Sequence, residues 1–225
     1  MASVEPQPVL MSWSGGKDSC MALWELQRAE KRRVEALLTT VTRDYARISM
    51  HGVRCELLLQ QAEALGLPLQ QVQISKGADN SQYEAEMGRT LAYYQSRGVN
   101  EVAFGDLFLE DIRAYREKML ATQGMRSLYP IWGRDTHRLI REFIGLGFRT
   151  VVVCVDPAKL DPSFAGRVID AQFVKELPTS VDPCGENGEF HTFVFDGPTF
   201  RHPVRFSPGA TVCRDGFWFH DLLPA

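Results

Sequence analysis

The stretch Val9-Leu10-Met11-Ser12-Trp13-Ser14-Gly15-Gly16-Lys17-Asp18-Ser19 decides how this chain folds. A short apolar run ends in serines and two glycines, and a lysine, an acid and a hydroxyl then open a segment with helical periodicity. A strand feeding a helix in this way leaves the first-turn N–H groups without partners, and the helix dipole adds positive potential there. Such an end receives phosphate. Gly15 and Gly16 let the backbone approach an anion with no side chain between. Lys17 adds a full positive charge, while Ser14 and Ser19 offer hydroxyls to oxygen or metal. The plainer alternative is a Gly-Gly turn beside a lysine; the strand before it and the helix after it favour the phosphate loop. It is not a Walker A loop. The first Gly of that motif would fall at Met11, and Asp18 stands where Ser or Thr should follow the lysine.

The rest of the chain repeats the strand-to-helix rhythm. A helix is expected over 17–32, with Cys20, Met21, Leu23 and Trp24 on its apolar face and Lys31-Arg32-Arg33 at its C-terminal end. Strands follow at 34–41, 69–74, 101–106 and 150–155, separated by helical patterns over 53–65, 111–123 and 136–146. Asp79 or Asn80 opens another helix, carrying Tyr83, Met87, Leu91 and Tyr94, and Asp135 or Thr136 caps the one at 136. This alternation predicts right-handed βαβ units and a parallel sheet, with ligands beyond the carboxyl ends of the strands. The loop at 14–19, the polar segment 42–52 and the Gly105-Asp106 strand end would converge on one crevice. Within 42–52, Met50-His51-Gly52 sits where an adenine or ribose contact could lie, but a lone histidine there reads as ordinary loop. Trp13 and Trp24 read as packing residues. After residue 156 the rhythm gives way to a short helical segment, a polar cluster and short antiparallel strands around Phe193-Val194-Phe195, Val204-Arg205-Phe206 and Gly216-Phe217-Trp218-Phe219-His220. The division expected is an α/β domain over 1–156 and a small α+β domain over 157–225.

Composition narrows the function. At 225 residues with 44% hydrophobic and 24% charged, the chain has ample material for a core. A formal net charge of −3 gives no electrostatic footprint for nucleic acid. Cys20, Cys55, Cys154, Cys184 and Cys213 are scattered without a C-x-x-C, which points to a reducing compartment and away from zinc or iron–sulfur sites. With no secretory signal and no membrane-length apolar run, the expected location is the cytoplasm. A homodimer is the default expectation for an oligomer, and Phe217, Trp218 and Phe219 would cover a sheet face or a dimer contact.

Ser14-Gly15-Gly16-Lys17-Asp18-Ser19 resembles the PP-loop of the N-type ATP pyrophosphatases, Ser-Gly-Gly-x-Asp-Ser. The string Asp182-Pro183-Cys184-Gly185-Glu186-Asn187-Gly188-Glu189-Phe190-His191-Thr192 is similar to the signature of the diphthine–ammonia ligase family, roughly Gly-Glu-x-Gly-Glu-aromatic-x-Thr. Gly105-Asp106, Tyr129-Pro130-Ile131-Trp132 and Leu160-Asp161-Pro162-Ser163-Phe164-Ala165-Gly166-Arg167 match that family in place and order. The resemblance implies an adenine-nucleotide α-hydrolase-like, Rossmann-like domain followed by a small family-specific domain. It also implies an ATP-dependent amide ligase that converts a carboxylate with ammonia, as diphthine is converted to diphthamide, leaving AMP and pyrophosphate.

The chemistry assigns roles. Amide formation from a carboxylate needs its oxygen to attack the α-phosphate of ATP, and charge then builds on the leaving pyrophosphate. Gly15, Gly16 and Lys17 are expected to meet that charge with Mg²⁺, and Asp18 and Asp106 are the candidate metal ligands. The alternative for Asp106 is a strand-end cap. Glu186 and Glu189 would bind ammonium and take its proton, with His191 as an alternative base; the alternative for all three is a solvated polar turn. Two other functions share the loop. A tRNA-modifying enzyme would want paired cysteines and a basic surface, neither of which the sequence shows, and a nucleotide-binding protein without turnover would leave the C-terminal acids without a task.

Overall fold

The computed structural model describes residues 5–42, 47–48, 52–74 and 80–225. The expected roles of Met50, His51 and Asp79, and of residues 43–45, lie outside the described residues. Strand β1 (Gln7–Ser12) leads through the loop into helix α1 (Lys17–Arg28), and β2 (Arg32–Thr42), a short β3 (Arg47–Ile48), α2 (Cys55–Leu65) and β4 (Leu69–Ile74) follow. Helix α3 (Asn80–Gln95), β5 (Glu101–Ala103), α4 (Glu110–Thr122) and β6 (Arg126–Leu128) complete the first half. The parallel pairings run β4 to β2, β2 to β1, β1 to β5 and β5 to β6, with β3 added antiparallel to β2. In β1, Val9, Leu10 and Met11 are wholly buried, as a central strand covered on both faces must be.

The second half contains α5 (Thr136–Gly145), β7 (Arg149–Val155), a one-turn 3₁₀ helix at Pro162–Phe164, α6 (Ala171–Glu176), β8 (Phe190–Asp196), β9 (Phe206–Arg214) and β10 (Phe217–Pro224). Its sheet is antiparallel, in the order β8, β7, β10, β9. Asp135 caps α5 by accepting from Arg138 N at 2.8 Å.

Three readings change. The strand at 150–155 is not in the parallel sheet: β7 lies between β8 and β10, antiparallel to both. Its continuous burial suits a central strand in either kind of sheet, so the apolar run alone could not distinguish them. Helix α1 ends at Arg28, and Arg32 belongs to β2, where its Nε lies 2.5 Å from Glu101 Oε2. The basic run at 31–33 therefore anchors a strand and does not face the helix dipole. Leu128-Tyr129-Pro130-Ile131-Trp132, which by sequence alone reads as a short extended run, is a strand end followed by a turn.

One apolar core holds both halves. It runs from Val9, Met11 and Leu23 through Leu57 and Leu58 to Val151, Val153 and Phe193, and a smaller cluster on the opposite face of the parallel sheet gathers Leu10, Leu38, Leu91 and Phe104. Among the described residues, no helix is long and apolar enough to cross a membrane.

Candidate active site

The order of the parallel strands turns at β1, which has β2 on one side and β5 on the other. The crevice beyond its carboxyl end is where such sheets hold ligands, and here it is a cleft of about 890 Å³. The phosphate loop forms its floor with Ser14, Gly16, Lys17, Asp18 and Ser19, and Gly105 and Asp106 flank it from the end of β5. Glu186, Asn187 and His191 close it from the second half. Two chain segments far apart in sequence, singled out separately, thus meet across one cavity. Gly15 and Glu189 are not among the residues lining it.

Several contacts fix the loop. Gly15 adopts φ 76°, a left-handed conformation that suits glycine. Its carbonyl accepts from Val194 N at 2.9 Å and from Gln61 Nε2 at 3.0 Å. Gln61, fully buried on α2, also donates to Val194 O at 2.6 Å and accepts from Trp13 Nε1 at 2.8 Å. Gly16 N donates to Ser14 Oγ at 3.2 Å, and Lys17 N donates to Thr192 Oγ1 at 3.0 Å. Ser19 Oγ bonds back to Gly16 O at 2.9 Å. Gly105 packs against the start of α1 so tightly that a Cβ there would lie 2.7 Å from the Asp18 carbonyl carbon.

Charge is concentrated above this floor. Lys17 Nζ sits 2.7 Å from Asp18 Oδ2 and 5.5 Å from the centre of the Phe190 ring. Burial works against the Lys17 ammonium, but the negative charge of Asp18 and its neighbours outweighs it and its pKa is raised. Burial pushes the Asp18 carboxyl up against the pull of Lys17. Asp106 is raised in the same way by burial, opposed by Arg116, whose Nη2 lies 3.1 Å from Oδ1, and reinforced by the charge of Asp18. Its Oδ2 is buried with no partner among the described residues. An orphaned carboxylate oxygen beside a second raised carboxyl is a place that a cation relieves. Among the described residues no group of three or more His, Cys, Asp or Glu could hold a metal ion; two carboxylates could serve only an ion that draws its other ligands from phosphate and water.

The loop between α6 and β8 presents its groups by local bonding. Asp182 Oδ2 accepts from Cys184 N at 3.2 Å and from Glu186 N at 3.0 Å, a short turn that aims Glu186 at the cleft. Glu186 Oε1 accepts from Leu107 N at 2.8 Å. Burial is the main cause that lifts its pKa to about 7, the Leu107 N–H opposing and Asp18 adding. His191 is pushed down to about 4 by burial and by Lys17, so it is a neutral imidazole at physiological pH. Glu189 has a different position. It is buried, and its Oε1 accepts from Asp182 N at 2.9 Å and Asn187 Nδ2 at 3.2 Å, holding the loop closed on itself. Of the expected acid pair, only Glu186 faces Lys17 and Asp18.

Other residues here were given no role by the sequence. Gln61 carried one signal, a polar residue on the apolar face of a helix. Arg116, Asp156 and Lys159 line the cleft, with Lys159 Nζ donating to Asn187 O at 2.8 Å. Thr39 also lines it, with a buried hydroxyl that has no partner among the described residues. Phe217 reaches the cleft from β10 and does not simply cover a sheet face.

Known proteins are similar to this chain along most of its length. Residues 8–127 match the family described as the Diphthamide synthase N-terminal domain, and residues 135–220 match the Diphthamide synthase C-terminal domain. The chain is 24% identical over 213 residues to the Diphthine--ammonia ligase of Homo sapiens, covering 85% of this chain and 79% of that one. With the Danio rerio protein of the same name it shares 26% over 220 residues, covering 88% and 86%. Among solved structures it is similar to a predicted subunit of tRNA methyltransferase from Methanocaldococcus jannaschii, with a TM-score of 0.45 and 16% identity over 85% of this chain and 98% of that one.

Proposed function

Because the chain belongs to the diphthamide synthase family, we propose that it is an ATP-dependent ligase joining ammonia to a carboxylate, with AMP and pyrophosphate as the other products. The observation that carries this is the meeting of Lys17 and Asp18 with Glu186 in one cleft. ATP lies with its phosphates over the N-terminus of α1. The acceptor carboxylate attacks the α-phosphorus, and the bond to the bridging oxygen breaks as pyrophosphate leaves. Lys17 and the helix N-terminus stabilise that departing charge. A Mg²⁺ ion held by Asp18 and Asp106 would neutralise the phosphate oxygens when bound.

Ammonia must then arrive as a free base. Glu186, with a pKa of about 7, is substantially ionised at neutral pH and basic enough to take a proton from ammonium. The ammonia nitrogen attacks the acyl carbon, the bond from that carbon to the adenylate oxygen breaks as AMP departs, and the nitrogen gives its surplus proton to solvent. His191, at about 4, is the weaker base of the two. The named relatives are ligases for diphthine, and a carboxylate of that class is the acceptor proposed here.

Pyrophosphate release with ATP, ammonium and diphthine-bearing elongation factor tests the reading. Lys17→Ala and Asp18→Ala are expected to abolish release. ADP formation in place of AMP would overturn the ligase chemistry, and ATP binding without any turnover would leave a nucleotide-binding protein.

A further inference from the structure

A phosphate approaching the first turn of α1 does not meet the Lys17 amide, because that N–H is already donated to Thr192 Oγ1 at 3.0 Å. It meets the hydroxyl that has taken the bond. Thr192 is 2% exposed, stands on β8 of the second sheet and lines the cleft beside Lys17. Among the described residues, its own O–H has no acceptor; the bond from Lys17 occupies a lone pair and leaves the proton to be given. A hydroxyl that accepts one hydrogen bond becomes a better donor for the next.

The hydroxyl is also held in place. A Cβ on Gly16 would lie 3.1 Å from Thr192 O and 3.2 Å from Thr192 Oγ1, so a side chain there would push loop and threonine apart by a few tenths of an ångström. Two residues along β8, Val194 N donates to Gly15 O at 2.9 Å, which keeps strand and loop in register. On the opposite side Gln61 bonds both Gly15 O and Val194 O. The loop and the first residues of β8 therefore form one rigid unit.

We propose that Thr192 is a nucleotide-binding residue that donates its hydroxyl proton to an oxygen of the β- or γ-phosphate, relaying the Lys17 amide into the cleft. This rests on the ATP reading above and adds a donor from the second half of the chain. The consequence is selective: Thr192 reads the leaving pyrophosphate, not the adenosine. A hydrogen bond to a charged oxygen is worth roughly tenfold or more in affinity.

Calorimetric titration of the purified full chain with MgATP and, separately, with AMP tests it. Thr192→Val keeps the shape, removes the donor and is expected to weaken ATP at least tenfold while AMP stays within about twofold. Thr192→Ser is expected to restore ATP. If the valine chain does not fold, Thr192→Ala is expected to give the same split between ATP and AMP. Unchanged ATP affinity in a folded Thr192→Val or Thr192→Ala chain overturns the assignment. Equal weakening of ATP and AMP also overturns it, since the hydroxyl is assigned to a β- or γ-phosphate oxygen that AMP lacks. Wild-type protein that binds no ATP would instead overturn the nucleotide reading itself, and this inference with it.

Discussion

Replacing Glu186 by Gln separates what this carboxyl costs the fold from what it contributes to chemistry. Its pKa is carried from 4.5 to about 7, chiefly by burial. At about 1.4 kcal/mol per pH unit, that displacement corresponds to at most about 3.5 kcal/mol, and to about 1–3 kcal/mol after the partial exposure of the group is allowed for. The sign follows from proton binding. Below pH 4.5 the carboxyl is protonated in folded and unfolded chains alike, and it costs nothing. Between 4.5 and 7 the unfolded chain releases its proton while the folded chain keeps it, so stability falls as pH rises. Above 7 the loss is complete. Gln keeps an oxygen to accept from Leu107 N but cannot ionise, so the variant escapes the loss. Urea unfolding at pH 5 and pH 8 is expected to show a wild type less stable at pH 8 by about 1–3 kcal/mol more than Glu186→Gln is. The same variant should bind MgATP normally and fail to form amide. Two chains with superimposable pH dependence would refute the argument that burial holds this carboxyl up.

Gln61→Leu strips partners from Trp13 Nε1, Gly15 O and Val194 O at once; a loss of about 3 kcal/mol is expected in denaturant unfolding, with weaker ATP binding. Gly105→Ala drives a methyl into the backbone of Asp18, and overpacking of about 1–3 kcal/mol with displaced α1 should lower both the unfolding midpoint and ATP affinity. Asp221 takes hydrogen bonds from Arg47 and Arg54, which overcome its burial and hold its pKa at about 2. Its stabilisation is present above pH 3.8 and lost as pH falls through about 2, so acid unfolding of Asp221→Asn should show a shallower dependence in that window.

The parts of the architecture legible in the sequence are those where local chemistry admits one solution. A strand that ends in Ser-Gly-Gly before a helix has to turn tightly, and the structure places the turn at 13–16. Buried runs are less informative. Thr150 to Val155 is equally apolar in a parallel or an antiparallel sheet, and its neighbours are decided by β8 and β10, which come later in the chain. The same holds for the acid pair: spacing brings Glu186 and Glu189 together, but Asp182 decides which one faces outward by gathering the N–H groups of Cys184 and Glu186. Arg32 and Arg33 look like the cationic end of a helix until Glu101, far along the chain, claims Arg32.

The shared core and the bonds from β8 to the phosphate loop have a mechanical consequence. Phe193 and Val151 pack in the same apolar cluster as Met11 and Leu23, and Val194 is bonded to Gly15. Two lobes fastened through the catalytic floor cannot swing apart about a hinge, since opening them would tear the loop that holds the nucleotide. They should unfold in a single cooperative step, and truncation between β6 and β7 should leave a fragment that neither folds fully nor grips ATP. Whatever motion admits substrate has to come from the walls of the cleft, leaving its floor still.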